Sequence, residues 1–435
     1  MSPSASAMNR ALEALPVELV CHIATFLDVQ DVLCFRLTNH TLASKLFLHL
    51  TRFFAYKDIE LALEPLKHFA YVTGQGRMGC FLQHCTIIGV VDGNLAGTPD
   101  ADEHVRLLTE VFVNLKQHSP RTSLTSLHLS MVVRNDHSEE IPSDDGYYVS
   151  IDHPSRQEVF EATLQTFNTT MISLRQSDLS VNKHLDLFSG FSECGLDSVA
   201  VLLLGQQFVS TAVFSSLKML TMSLCSPYIS KKEGRAARRK RVSESLLLQC
   251  LPRLSSIMPK LEYLDFHWYT IGCWRSQPPK DHMLHLNTLS QASFAFLKTC
   301  GLRGLHISES SLLEYLKAIR PTALAMKYIH LTRGTWAPIF DFLTSSGSPV
   351  KSYCLDDLVE DGKLVHFDVP GESKFRYMGI RMGPSTLTRD VDEEKEAIRY
   401  SFPTSRMMGS GEAYRWDRKL SKEFGPPLRR PRLLE

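Results

Sequence analysis

The chain has 435 residues, more than one hydrophobic core usually supports, so at least two structural units are expected. Hydrophobic side chains make up 43% and charged ones 22%, ordinary values for a folded soluble protein. With 48 basic and 47 acidic side chains the formal net charge is +1, so there is no global argument for nucleic acid or an anionic membrane as a partner, and any basic character is local.

Ten cysteines are present, none in a C-x-x-C pair, and most sit in apolar runs such as Val20-Cys21-His22-Ile23. That usage points to reduced, buried thiols, and neither a disulfide framework nor a zinc site is expected. The opening Met-Ser-Pro-Ser-Ala-Ser lacks the apolar core of a signal peptide, and the apolar run from Val199 to Leu204 is far too short to span a bilayer. The expectation is a soluble protein of the cytoplasm, the nucleus or both, with no cofactor.

Residues 1–14 read as disordered. From residue 15 the pattern turns helical: Leu15, Leu19, Ile23 and Leu27 recur every four residues as one stripe, and Pro16 suits a first helical turn. Asp28 followed by Asp31 places a cap and a first-turn carboxylate ahead of Val32, Leu33 and Leu37. Asn39 caps a third helix carrying Leu42, Leu46 and Leu50. Phe26, Leu27, Val32 and Leu33 exceed what roughly forty residues can sequester, so some of them should face a partner or the following domain.

Leu15-Pro16-x-Glu18-Leu19, Ile23, Phe26-Leu27-Asp28, Asp31-Val32-Leu33 and Arg36-Leu37 resemble the F-box pattern in order and spacing. Leu42 stands where many members carry a tryptophan, and the Arg-Leu-Thr-Asn-x-Thr-Leu-Ala segment is similar to fungal-type F-boxes. The resemblance implies a three-helix module over 15–52 that binds a Skp-type adaptor and, through it, a cullin ubiquitin ligase. The contacts it implies are Leu15, Pro16, Leu19, Ile23, Phe26, Leu27, Val32, Leu33 and Leu37.

From residue 82 a pattern of apolar, two residues, apolar, one residue, apolar recurs. It appears at Leu82/Cys85/Ile87, Leu124/Leu127/Leu129, Leu196/Val199/Val201, Leu217/Leu220/Met222, Leu261/Leu264/Phe266, Leu302/Leu305/Ile307, Met326/Ile329/Leu331 and Val350/Tyr353/Leu355. The starts lie 42, 72, 21, 44, 41, 24 and 24 residues apart, mostly near multiples of a unit in the low twenties. That is the leucine-rich-repeat period with degenerate or interrupted repeats. The expected fold is therefore α/β: an N-terminal three-helix F-box, then an irregular leucine-rich-repeat-like solenoid over 53–383. Helical returns are expected at Glu158–Phe167 and Ser243–Met258.

In such a solenoid the last two apolar residues of each hit point inward and the intervening ones outward. The outward column would hold His128, Thr221, Asp265, His306 and His330, flanked by Tyr263, His267 and Tyr328, a face suited to an unknown protein target. Three histidines in one column invite a metal, but side chains on strands several repeats apart cannot share a coordination sphere, so none is expected.

Residues 133–158, acidic and broken by Pro142, Gly146 and Pro154, read as a long loop. Residues 231–241 carry seven positive charges, and Arg238, Arg239, Lys240 and Arg241 read as a nuclear-import signal, as a patch for phosphorylated or acidic partners, or as part of a solvated insertion. Residues 384–435 read as a C-terminal extension with little core-forming material, a helix near 391–399 and a disordered tail.

Gly74-x-Gly76-x-x-Gly79 matches a dinucleotide fingerprint after a strand-like segment, but only Cys80 to Cys85 separate it from the next strand, too few for a crossover helix, so it reads as a glycine-rich loop. His282-x-x-His285 has no third ligand nearby, and no G-x-S-x-G, H-E-x-x-H or Walker A run occurs. The function expected is the non-catalytic substrate receptor of a Skp–cullin–F-box ubiquitin ligase, with no nucleic-acid or membrane partner. A scaffold that binds the adaptor without degrading its partner is the alternative.

Overall fold

Two short side chains set the first helical boundaries. Asp28 accepts a hydrogen bond from the Asp31 backbone N–H at 2.8 Å, and Asn39 from that of Thr41 at 2.6 Å. Three helices result: α1 (Val17–Ala24), α2 (Val29–Thr38) and α3 (His40–Phe53). The computed structural model describes residues 12–74, 78–92, 101–134, 154–190, 195–196, 198–209, 211–225, 254–269, 296–390, 395–405, 407–408, 415–416, 419–420 and 423–424.

The three helices enclose a small core of their own, made by Val20, Ala24, Val32, Leu42, Leu46 and Leu50. The third-helix stripe lies where the spacing put it. In α1, however, the buried stripe is Val20 and Ala24, while Leu19 and Ile23 face outward. Both stripes are apolar, and α1 packs on α3 through the smaller pair, which permits closer helix approach. The Lys45 ammonium donates to the carbonyls of Glu13 and Leu15, both at 2.6 Å, and so ties α3 to the entry of α1.

The rest of the molecule is mixed α/β, built on a large, mainly parallel sheet that does not close into a barrel. Its strands are β1 (Tyr56–Glu60), β2 (His84–Asp92), β3 (Ser123–Arg134), β4 (Ser180–Leu187), β5 (Met219–Cys225), β6 (Tyr263–Tyr269) and β7 (Thr299–Arg303). Short strands β8 (His306–Ile307) and β10 (His330–Leu331) alternate with the main strands β9 (Ala323–Lys327) and β11 (Ser352–Asp356). After β12 (Val359–Glu360), β13 (Lys363–Leu364), β14 (His366–Phe367) and β15 (Arg376–Tyr377), β16 (Thr386–Arg389) returns to the main sheet. Ten strands pair there in the order β1-β2-β3-β4-β5-β6-β7-β9-β11-β16, all parallel except the last. Helices α4 (Leu63–Thr73), α5 (Ala101–His118), α6 (Pro154–Ser177), α7 (Ser198–Gln207), α8 (Glu309–Ile319) and α9 (Ala337–Thr344) carry the chain between strands.

Register explains the leucine pattern. One inward column runs Leu127, Leu185, Leu220, Leu264, Cys300, Leu324 and Tyr353; the next runs Leu129, Leu187, Met222, Phe266, Leu302, Met326 and Leu355. Both columns are buried and share one core with the apolar faces of the helices. Neighbouring positions of the outward column, from Thr86 to His128, Asp186, Thr221, Asp265, Gly301 and Ala325, are 24 to 58 residues apart in sequence. The spacing is thus less regular than a unit in the low twenties.

Several expected elements differ. Leu196/Val199/Val201 is no strand: Leu196 bridges Leu224, and α7 begins at Ser198. The strand at that place in the sheet is β4, which the pattern overlooks because Asn182 stands where an apolar residue was required. Leu302/Leu305/Ile307 and Met326/Ile329/Leu331 straddle two sheets. In each, the first residue belongs to a main strand and the last to β8 or β10 of a second, four-stranded sheet ordered β13-β12-β10-β8.

The turn between the sheets recurs three times. Gly304 (φ +73°), Tyr328 (φ +54°) and Asp357 (φ +51°) each follow a five-residue strand in left-handed backbone, and each precedes a fully buried Leu305, Ile329 or Leu358. At Gly304 a β-carbon would also strike the Phe424 ring and the Trp268 carbonyl, so glycine is required there twice over.

Of the loop expected over 133–158, residues 133–134 belong to β3 and 154–158 to α6, and 135–153 lie outside the described residues. The segment before Gly74 is helix α4, not a strand, and Gly79 lies in a 3₁₀ turn (Met78–Phe81). The C-terminal extension does join the core: β16 pairs with β11, β17 (Tyr400–Ser401) with β14 and β18 (Met407–Met408) with β15, and Leu420 and Phe424 are buried. Residues 395–399 are not helical. Residue pairs 282/285 and most of 243–258 lie outside the described residues.

Asp357 secures this end. Its buried carboxylate accepts from the Lys374 ammonium at 2.8 Å, the Ser385 hydroxyl at 2.8 Å and the Trp416 indole N–H at 3.0 Å.

Leu264 is fully buried at the centre of the inward column. Leu264→Ala should lower unfolding free energy by about 2–5 kcal/mol, read as a shift of the urea midpoint. An unchanged midpoint would contradict the register.

Candidate functional site

The same alternation that turns leucines inward sets a polar column on the open face of the sheet. Thr86, His128, Asp186, Thr221 and Asp265 occupy adjacent rungs. Two residues toward the strand entries, on the same face, lie Tyr56, His84, Ser126, His184, Met219 and Tyr263. His128, Thr221, Asp265 and Tyr263 therefore stand together as their spacing implied, although Thr221 is largely covered.

His306, His330 and Tyr328 do not stand with them. His306 and His330 sit on β8 and β10 and are buried; because those strands are neighbours, the two rings stack at 4.5 Å. Tyr328 is the left-handed hinge between β9 and β10, and it is also buried.

The open column holds a connected hydrogen-bond network. Ser126 Oγ lies 2.8 Å from His84 Nδ1 and 3.1 Å from His128 Nε2. His128 Nδ1 is 3.6 Å from Asp186, which also accepts from the Ser189 N–H at 2.9 Å and the Ser189 hydroxyl at 2.6 Å. Burial works to raise the Asp186 carboxyl, but His128 and the two Ser189 donors outweigh it and hold the group below the usual carboxylate value. His184 Nε2 lies 3.0 Å from Thr221 Oγ1 and its ring meets His128 edge-on at 4.9 Å. Tyr56 stacks flat on His84 at 4.2 Å. Burial, then His128 and the nearby Lys183, push His184 below its ordinary value; His84 shifts the same way for the same reasons, with Arg121 adding to it.

A serine, a histidine and an aspartate in sequence have the connectivity of a nucleophile relay. Here Ser126 is buried, its hydroxyl is shared between two imidazoles, and its N–H donates to the Gln83 carbonyl at 3.1 Å. What the geometry provides is a set of imidazoles and hydroxyls held in fixed orientation by one another, with an aromatic ring at one edge.

The far end of the face is covered by the chain itself. The Glu423 carbonyl lies 2.8 Å from His267 Nε2, and its carboxylate takes both hydrogen bonds from Lys327, at 2.6 and 2.9 Å. Phe424 stacks on Tyr328 at 4.9 Å, and Trp416 meets Tyr328 edge-on. His267 and Tyr328 are therefore occupied, while on β3 to β6 the polar column is half-buried, with His128 34%, Asp186 15% and Asp265 13% exposed and Thr221 buried.

A second candidate surface lies on the helical packet. Leu19 is 49% exposed, Ile23 38% and Phe26 78% at helical spacing, and Leu37 on α2 is 88% exposed. Pro16 is exposed, while Leu15, Leu27 and Leu33 are half-buried against the packet core. Val32 differs from the contact implied by the resemblance: it is 0% exposed, and its side chain belongs to the packet's own core. Arg238, Arg239, Lys240 and Arg241 lie outside the described residues.

Among the described residues no group of three or more His, Cys, Asp or Glu side chains is arranged to hold a metal ion. No described helix is long and apolar enough to cross a membrane. No protein-family model matches the chain, and no curated protein matches it either.

Sequence reasoning missed His84, Ser126, His184 and Asp186. Dropping the requirement for a leading apolar residue would have revealed Leu185-x-Leu187 and, with it, His184 and Asp186 as outward neighbours.

Burial pushes both His267 and His306 down to about 4 from an ordinary 6.5. Both are neutral in the folded chain above that value, while the unfolded chain takes up protons below 6.5. Their stabilisation is complete above pH 6.5 and lost as pH falls toward about 4. Each adds a slope of up to about 1.4 kcal/mol per pH unit. His306→Phe keeps a ring against His330 and removes one titration, so the fall in stability between pH 6.5 and 4.5, as measured by guanidinium unfolding, should become shallower by about that slope. An equal pH dependence would refute the burial assignment.

Proposed function

We propose that this protein is a substrate-recognition subunit of a Skp–cullin–F-box ubiquitin ligase and carries no chemistry of its own. The observation that carries the proposal is that Leu19, Ile23 and Phe26, at helical spacing, and Leu37 on α2 are exposed on a helical packet whose core is made by other side chains. Each such side chain left in water forfeits about 1.5–3 kcal/mol, so a helical surface of this kind calls for a partner. In this reading α1 and α2 dock on a Skp-type adaptor, with Leu15, Leu27 and Leu33 at the margin of the contact.

We read the parallel sheet and its helices as an irregular leucine-rich-repeat-like solenoid. The chain-order pairing of its strands and the recurring left-handed turn at Gly304, Tyr328 and Asp357 support that reading. A protein target binds the polar face around His128, Asp186, Tyr263 and Asp265, with Thr221 beneath it orienting His184. The mechanism is proximity: the receptor raises the local concentration of target lysines beside a ubiquitin-charged enzyme supplied by the rest of the complex.

Ile23→Asp and Leu37→Asp place charge at these exposed positions without entering the packet core. Each should reduce co-purification of a Skp adaptor at least tenfold while leaving the thermal midpoint of the sheet unchanged. Full adaptor recovery with both variants combined would reject the docking assignment.

A further inference from the structure

The edge at which the strands enter the sheet carries a charge pattern that neither candidate surface uses. The residue before β5 is Lys218, before β6 Glu262, before β7 Lys298, before β9 Thr322 and before β11 Lys351, and Lys183 of β4 lies level with them. Backbone hydrogen bonds join these residues as successive rungs: Lys218 to Lys183 at 3.2 Å, Glu262 to Lys218 at 2.8 Å, Lys298 to Glu262 at 2.8 Å, Thr322 to Lys298 at 2.9 Å and Lys351 to Thr322 at 2.7 Å. By alternation these side chains belong to the core side of the sheet, but they stand beyond the end of the core and reach solvent there. Lys218 is 55% and Lys298 66% exposed, and Lys183 and Lys351 are exposed as well.

The turns that feed this edge sharpen the asymmetry. Together with Lys183, residues 119–122, 178–179, 209–218, 258–262, 296–298, 320–322 and 345–351 contain seven cations (Arg121, Lys183, Lys218, Lys260, Lys298, Arg320 and Lys351) and two acids (Asp178 and Glu262). That is an excess of five positive charges on one edge of a chain whose net charge is +1. Glu262 bridges Lys218 at 3.0 Å and Lys298 at 2.8 Å, and these two ammonium groups hold its carboxyl below the usual value. Lys183 and Lys351, toward the two ends of the row, have no carboxylate within ion-pair distance among the described residues.

We infer that this lysine row is a docking edge for an acidic, extended protein segment. From Lys183 to Lys351 the row crosses five strand steps of about 4.8 Å, roughly 24 Å, which seven or eight residues of extended chain would span. The row is one residue wide; four of its six side chains are lysine ammonium groups, which act as point charges, and Glu262 and Thr322 occupy the other two rungs. Phosphate backbones are better matched by arginine forks and stacking aromatic platforms, so carboxylates are the fitting occupant. Exposed charges give an interaction that salt weakens strongly. The edge is separate from the adaptor-docking stripe, and its occupancy does not depend on the adaptor reading.

The test uses the full-length chain and a fluorescein-labelled glutamate-rich decapeptide, followed by anisotropy at 50 and 300 mM NaCl. The native chain should bind the peptide and release it at the higher salt. Lys183→Glu/Lys218→Glu/Lys298→Glu/Lys351→Glu should weaken binding at least tenfold, and the four Lys→Gln substitutions, which add no repulsion, should also weaken it, with thermal midpoints unchanged. Arg238→Ala/Arg239→Ala/Lys240→Ala/Arg241→Ala should bind as the native chain does. The inference is overturned if the native chain does not bind the peptide at 50 mM NaCl, or if the lysine variants bind it normally. It is equally overturned if oligo-dT or phosphatidylserine vesicles bind the row more tightly than the peptide does.

Discussion

Everything in the larger part of this molecule depends on one constraint: parallel strands must pair in phase. Side chains alternate with a period of two, so a slip of one residue between β5 and β6 would turn Leu264 and Phe266 outward and bring Asp265 into the core. The phase holds along the central rungs from β2 to β11; where β3 meets β4 the register shifts by one residue between Leu124 and Ser126, before the Leu127–Leu185 rung. From that register follow both a leucine-lined interior and an open face on which His84, Ser126, His128, His184 and Asp186 touch one another despite lying far apart in sequence. The face is a by-product of the core.

The register also shows where the face ends. After β7, β9 and β11 the chain turns through a left-handed residue into a second sheet, taking His306 and His330 out of the open column and into the interior. Beyond that point Glu423 and Phe424 lie on His267, Lys327 and Tyr328. These C-terminal residues thus cover the face where β6 and β9 meet it.

Local rules were legible in the sequence wherever one short-range interaction decides the outcome. The caps at Asp28 and Asn39, the Leu42/Leu46/Leu50 stripe and the inward pairs Leu127/Leu129, Leu220/Met222, Leu264/Phe266 and Tyr353/Leu355 all follow from spacing alone. Tertiary choices were not legible. Leu19 and Ile23 look as core-like as Val20 and Ala24, and only packing against α3 decides between the two stripes. Phe424 lies in a segment rich in proline, glycine and charge, and its burial depends on a glycine at position 304. Asn182 hid β4, and with it His184 and Asp186, because the pattern demanded an apolar residue at a rung whose side chain instead donates to the Ser123 hydroxyl at 2.7 Å.

The proposed function assigns the two surfaces different roles: the exposed apolar side chains of the helical packet would attach the chain, and the polar face of the sheet would select a target. Hydrogen–deuterium exchange of the full-length chain, with and without a purified Skp-type adaptor, tests that division most directly. The account predicts that the adaptor slows exchange in residues 17–38 and leaves β2 to β6 unchanged. Protection confined to the sheet, or no protection of the helices at saturating adaptor, would contradict it.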